Sequence, residues 1–276
     1  MSEELRRMVE GLDGVVLDTN VVVDAFLSVA SVNFQLPIKA IDTVEEATAV
    51  ASLLLELKRA LGVRYVAYAH DALIEEYRRQ LEKYAGKLGI HSELKKVPSY
   101  CGYLHQGVTI ACGNKGTCQF LFKFKHVKYE ELLPKDDRGI RSAYKLVVRS
   151  GEYGKAFQRL KDYERFREKV LKERPENVPD KFVDVLNVLL GYRYKLLVVT
   201  KDEGVFRACK EIYREFREWA VRCAYVESVE LRNAGGIREY MVAVRVVPPV
   251  GLGRRRVDSF KYSRRDGVSA AIVTSR

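Results

Sequence analysis

A chain of 276 residues, 47% hydrophobic and 31% charged, has the composition of a globular protein and the length for one large core or a core with a smaller unit appended. No apolar run approaches the roughly 18 residues of a membrane span, and MSEELRRMVEGLDG lacks an apolar stretch before a small-residue cleavage site, so no membrane association and a cytoplasmic location are expected. Lys and Arg number 48 against 37 acidic residues, and the net charge of +11 favours a polyanionic partner, although solubility and surface ion pairing also account for such an excess.

In chain order, residues 14–18 (GVVLD) are an apolar run ending in an aspartate, which predicts a strand. TNVVVDAFL continues as a helix for which Asn20 is the expected cap. Residues 41–62 predict a second helix, with Asp42 or Thr43 as cap, Glu45 and Glu46 in the first turn and Gly62 as the stop. The β-branched and aromatic stretch VRYVAYAH (63–70) predicts a strand, and residues 71–87 a helix. From about 90 to 130 the rhythm breaks: the turn-rich ACGNKGTC lies between VTI and QFLFKFKHVKY, as in an inserted β-hairpin. Phe120, Phe122 and Phe124 alternate there with Lys123 and Lys125, which suits either a core face with solvated lysines or a basic hairpin facing nucleic acid.

Residues 138–173 predict helix with a break at SGEYGK, and the charge pairs of AFQRLKDYERFREKVLKER suggest an exposed helical arm. Past Pro175 and Pro179 come a helix over 180–192, a buried strand over 195–200 and a helix starting near Asp202. Beyond Arg222 the pattern becomes two strands about a Gly-Gly turn and then a basic tail, unstructured or β-like. Alternating strands and helices imply a doubly wound α/β sheet, whose ligands bind beyond the carboxyl ends of the strands.

Asp18 ends the first strand, Asp202 follows the strand KLLVVT, Asp184 lies on the helix leading into that strand and Glu76 on the helix after VRYVAYAH. Four carboxylates converging on one edge repel one another, and hard oxygen ligands suit Mg²⁺ or Mn²⁺, which can activate water for phosphodiester hydrolysis. Taken singly, each acid also fits a helix cap or a solvated helix face.

The segments VVLDTNVVVDAFL, ALIEEYRRQL and PDKFVDVLNVLLGYRYKLLVVTKDEGVF, in that order, resemble the PIN-domain family of ribonucleases. Asp18-Thr19-Asn20 matches the acid that ends the family's first strand, and Glu76, followed by Tyr77 and Leu81, matches its helical glutamate. Asp184 fits the third acid better than Asp180, one turn earlier on the same face, and Thr200-Lys201-Asp202 matches the last acid. The resemblance implies catalytic and metal-binding roles for Asp18, Glu76, Asp184 and Asp202, with Asn20, Thr200 and Asp180 in support. The implied architecture is a three-layer α/β/α PIN-like domain over 1–226, with a core at about 12–87 and 178–226 and an insertion at about 88–177 holding the hairpin and helical arm. A basic, β-rich extension occupies 227–276.

The chain is longer than a minimal toxin-type PIN domain, which favours an endoribonuclease of RNA processing or quality control. Two alternatives stand beside it. One is an RNA-binding protein on this scaffold with a weak or inactive site. The other is a haloacid-dehalogenase-type phosphatase, whose second aspartate is replaced here by Asn20. Cys101, His105, Cys112 and Cys118 have the ligand types of a Zn²⁺ site at an unusual spacing, and also suit a disulfide from Cys112 to Cys118 or Cys101, or free, partly buried thiols. Arg254, Arg255, Arg256, Lys261, Arg264 and Arg265, interleaved with Phe260 and Tyr262, are expected to hold RNA, and a homodimer is left open.

Overall fold

The computed structural model describes residues 3–34, 41–62, 65–87, 123–150, 153–154, 157–216, 221–232, 238–247, 257–265 and 268–274. The first half runs α1 (Glu3–Val9), β1 (Val15–Leu17), α2 (Thr19–Phe34), α3 (Ile41–Leu61), β2 (Val66–His70), α4 (Asp71–Lys87) and β3 (Lys123–Val127). There follow α5 (Tyr129–Leu132), α6 (Arg138–Arg149), α7 (Tyr163–Lys172), a single 3₁₀ turn (Pro175–Asn177), α8 (Asp180–Tyr194), β4 (Leu197–Thr200) and α9 (Glu203–Phe216). The chain closes with β5 (Arg222–Arg232), β6 (Arg238–Val247), β7 (Val257–Arg265) and β8 (Val268–Thr274).

All eight strands join one sheet in the order β3-β2-β1-β4-β5-β6-β7-β8. The first five in that order are parallel, and β5 to β8 form an antiparallel meander. Strand order runs outward from β1 through β2 to β3 on one side and from β4 to β5 on the other. The β1/β4 seam is therefore a topological switch point, where successive connections leave in opposite directions and open a crevice at the carboxyl ends of the strands. Helices α2 and α3 pack together and reach β4 to β7, while α8, with α6 and α9 against it, lies on β1, β2 and β4. The fold is α/β with a central sheet parallel through its first five strands, compatible with a three-layer α/β/α arrangement.

Strands β1 and β4 are buried along their whole length, which is why VVL and LVVT read as continuous apolar runs and not as alternating ones. Helix α8 is buried on most of its circumference, from Phe182 to Gly191 except Asp184. Gly191 allows its close approach to the sheet, since a Cβ there would stand 2.4 Å from Val198 Cγ2 and 2.7 Å from Val221 Cγ2. That close packing fixes the height at which α8 presents Asp184 beside the ends of β1 and β4.

Five sequence expectations are corrected. The hairpin expected over 90–130 does not account for Lys123–Val127, which pairs in parallel with β2 over five residues as β3, while the preceding residues 88–122 lie outside the described residues. Lys125 is exposed on this strand, its Nζ 5.0 Å from the centre of the Tyr68 ring. The helical arm is not an exposed one. Tyr144, Tyr153, Phe157, Phe166 and Phe182 are buried together, with ring centres 4.6 Å apart for Tyr144 and Phe166 and 4.9 Å for Phe157 and Phe182. Burying each such ring stabilises the fold by about 1.5–3 kcal/mol, which outweighs a preference for exposure inferred from charge pairs.

The helix expected to continue through AFQRLKDY starts only at Tyr163, because Asp162 caps it by accepting a hydrogen bond from Glu164 N at 2.7 Å. Asn20 is not the cap of α2. The Asp18 carbonyl accepts from Val21 N and Val22 N at 3.0 and 3.2 Å, so Asp18 holds that position and Asn20 is an exposed residue of the first turn. The boundary expected at residue 226 falls inside β5, which pairs with β4 on one side and with β6 on the other. Among the described residues no helix is long and apolar enough to cross a membrane.

Candidate functional site

Asp18 is the first residue beyond β1, and its N–H donates to Val199 O at 2.9 Å, extending the β1–β4 ladder by one step to the edge of the crevice. Its side chain is buried, and both carboxylate oxygens are engaged: Thr19 N donates to Oδ1 at 2.9 Å and Thr200 Oγ1 to Oδ2 at 2.6 Å. Burial pushes the Asp18 carboxyl up, and these two hydrogen bonds oppose that shift by favouring the charged form. The Thr200 hydroxyl also accepts from Asp202 N at 2.8 Å, so a single side chain at the end of β4 ties Asp18 to the turn that carries Asp202. Asp202 uses Oδ1 to accept from Gly204 N at 2.6 Å and Val205 N at 3.0 Å, capping α9. Its role as a helix cap is thus real, yet the capping occupies one oxygen only.

Glu76 and Asp184 come from the second turns of α4 and α8. Glu76 is half-buried, and its carboxyl is pushed up to about 7, first by burial and then by the negative charges of Asp18 and Asp180. Asp184, with its side chain 15% exposed, is pushed up to about 8 by burial and by Asp18 and Asp202, against the opposing pull of Lys181 with Nζ 3.4 Å away. Asp18 is the common neighbour: Glu76, Asp184 and Asp202 all act on it or are acted on by it. Asp180 stands apart, its side chain 75% exposed and paired with Arg79 at 3.4 Å. Of the two acids on α8, Asp184 faces Asp18 and Asp202, while Asp180 flanks Glu76.

Charged, these carboxylates are unfavourable in a desolvated crevice where Lys181 acts on Asp18 and Asp184 and Arg79 on Glu76, and a divalent cation is a natural further compensation. Among the described residues no three acid, His or Cys side chains converge closely enough to enclose a metal by themselves. Mg²⁺ and Mn²⁺ sites of the phosphodiesterase kind do not require that, since water and phosphate oxygens complete the coordination. The residues fit such an ion on a second observation. The buried hydroxyl of Tyr153, beside Asp184 and Asp202, has no hydrogen-bond partner among the described residues and is available to a solvated ion or a bound anion.

Sequence reasoning missed Lys181 and Tyr153. Lys181 lies three residues before Asp184 on one helix, a spacing legible as an ion pair. Tyr153, its ring 5.5 Å below Lys181 Nζ, lies in an irregular segment between α6 and α7 with no periodicity to mark it. His70 is a buried structural residue: Nδ1 accepts from Leu73 N at 3.2 Å, Nε2 lies 3.1 Å from Asn187 Oδ1, and burial pushes it down to about 3, so it is neutral.

Cys101, His105, Cys112 and Cys118 lie outside the described residues, as do Arg254, Arg255 and Arg256. Lys261, Arg264 and Arg265 belong to β7. Cys209 and Cys223 are buried free thiols on α9 and β5. Compared with protein-family models, with curated proteins and with solved structures, the chain matches none of them.

Proposed function

We propose that the β1/β4 crevice is the active site of a divalent-metal-dependent endoribonuclease with a PIN-like fold, acting in RNA processing or quality control in the cytoplasm. The observation that carries this reading is the convergence of Glu76, Asp184 and Asp202 on Asp18 at the switch point of the sheet, with the carboxyls of Asp18, Glu76 and Asp184 pushed up. Neighbouring carboxyls whose charged forms are disfavoured suit a site that binds a cation, which would compensate them. The resemblance of the D-T-N and T-x-D contexts to PIN domains, together with the net charge of +11, favours RNA as the phosphodiester.

Asp18, Asp184, Asp202 and Glu76 would hold Mg²⁺ or Mn²⁺, which when bound supplies an activated water and stabilises the added charge of the attacked phosphate. Thr200 orients the Asp18 carboxylate and fixes the Asp202 turn relative to it. Glu76, titrating near neutrality, is able to accept a proton at working pH. Lys181 and the Tyr153 hydroxyl stand beside Asp184, where they can meet a phosphate oxygen.

Incubation of the purified protein with single-stranded and structured RNA in Mn²⁺ tests the proposal. Cleavage should require the metal, stop in excess chelator and be lost in Asp18→Asn and Asp202→Asn, both of which preserve the side-chain shape. Undiminished cleavage in chelator or in either variant overturns the mechanism, and RNA binding without any cleavage by the intact protein turns the reading to a binding protein on the same scaffold.

A further inference from the structure

Beside the crevice, α9 and the end of α6 line an open groove of about 570 Å³. Five cations line it, Arg149, Arg207, Lys210, Arg214 and Arg245, against the two carboxylates Glu203 and Glu211, a surplus of three positive charges. Arg207, Lys210 and Arg214 follow one another at spacings of three and four residues, so they stand in a row along one face of α9 about 10 Å long at 1.5 Å per residue. Arg149 faces them from the last turn of α6.

Arg245 is held in place at the end near the crevice. Its guanidinium lies 4.3 Å from the centre of the Tyr225 ring and 5.3 Å from that of Phe206, and it pairs with Glu203. Arg207 and Arg214 are also braced, by Glu203 and Glu211, with side chains 58% and 60% exposed. Arg149 and Lys210 form no ion pair among the described residues. The groove starts at Glu203, the first residue of α9, the helix that Asp202 caps through Oδ1.

On the basis of the nuclease reading, we propose that this groove is the track for the RNA strand flanking the scissile phosphate, with Arg149, Arg207, Lys210 and Arg214 on successive phosphates. A stacked strand advances about 3.4 Å per nucleotide along its axis, so the row on α9 runs alongside about three nucleotides. Arginines already oriented by a neighbouring carboxylate or ring lose little side-chain freedom on meeting a phosphate, and they present planar donor pairs matched to its oxygens. A row of cations leading from a cluster of anions suits a polyanion whose one reacting phosphate enters the acid site with its charge neutralised by metal, while its neighbours need cations of the protein's own. An acidic peptide would gain the cations but has no reason to lie against Asp202.

Binding of a fluorescein-labelled oligouridylate to the full-length protein, followed by anisotropy in excess chelator at several salt concentrations, reads the groove without requiring cleavage. The triple variant Arg207→Gln, Lys210→Gln, Arg214→Gln should bind more weakly, with the slope of log K against log salt reduced by about 0.7 for each phosphate left without its cation, roughly two in total. Arg165→Gln with Lys172→Gln, exposed on α7, is the control and should keep the wild-type slope. Equal slopes for the triple variant and the wild type overturn the proposal. So does a triple variant that loses polyglutamate binding and keeps RNA binding, which marks a peptide site. Mn²⁺-dependent cleavage is scored separately: loss of the slope in a protein that cuts no RNA keeps the track and removes the nuclease reading, while cleavage with an unchanged slope does the reverse.

Discussion

Asp184→Asn exchanges a carboxyl for an amide of nearly the same shape at a position where the folded protein disfavours the charge. The Asp184 carboxyl is raised from 3.8 to about 8, chiefly by burial and then by Asp18 and Asp202. A folded-state value above the unfolded one means that the native protein holds the proton more tightly, so stability is greatest below about pH 4, falls as pH rises from about 4 to 8, and is level above that. At 1.36 kcal/mol per unit the rise sets a ceiling of about 6 kcal/mol on the destabilisation in the absence of metal. The gain on substitution is smaller, because removing Asp184 also removes the Lys181 pair, and because Asp18 and Glu76 share the same repulsion and relax their own protonation.

A net stabilisation of about 2–3 kcal/mol at pH 8 follows for the metal-free variant, or a rise in Tm of about 4–6 °C for a chain of this size. At pH 4 the difference should vanish. Thermal unfolding in chelator across this pH range, for wild type and variant, reads it directly. Added Mn²⁺ should raise the Tm of the wild type and leave that of the variant nearly unchanged, while cleavage is lost. A variant no more stable than the wild type at pH 8, or one whose advantage is the same at pH 4, refutes the account of a strained acid cluster.

The same geometry sets further outcomes. Asp180→Asn should cost much less cleavage than Asp184→Asn, since Asp180 is exposed and paired with Arg79; the reverse order in a kinetic comparison would exchange their roles. Thr200→Val removes the donor to Asp18 Oδ2 and the acceptor of Asp202 N without changing shape, and should lower kcat about 10–100-fold, as supporting partners of metal ligands do, with a stability loss of about 1–3 kcal/mol from the unpaired groups. Mn²⁺ affinity, measured by calorimetry, should rise with pH through the range where Glu76 and Asp184 lose their protons, about 7 and about 8, and binding should release protons into the buffer. Truncation after Pro249 removes β7 and β8 and the basic residues they carry, which should lower the salt slope of RNA binding by about 0.7 for each phosphate those residues neutralise. It also uncovers the β6 edge, so sedimentation should show self-association.

Local pattern fixed the elements that carry the candidate site. An apolar run closed by Asp18, the T-x-D after LVVT, and helices with acidic starts are properties of a few adjacent residues, because strand burial, capping and periodicity act over one or two turns of chain. The helix over 71–87 is legible to the residue for this reason. The same locality misled where a charge-laced segment read as an exposed arm: the pairs on its surface are visible in sequence, whereas the aromatic partners that bury its other side come from α6, α8 and an irregular turn. It misled again at Lys123–Val127, whose alternation suits a hairpin as well as an edge strand, and only pairing with β2 decides between them.

What tertiary structure alone decided is which acids share one desolvated space. Sheet order places β1 beside β4 and so sets Asp18 against Thr200 across 182 residues of sequence separation. Helix α8 brings Asp184 beside Asp18, while Asp180 one turn earlier stays exposed and paired with Arg79. Tyr153 and the groove along α9 likewise exist only once distant segments meet. Repulsion and burial depend on distances in space, and a sequence records those distances only where the chain is locally regular.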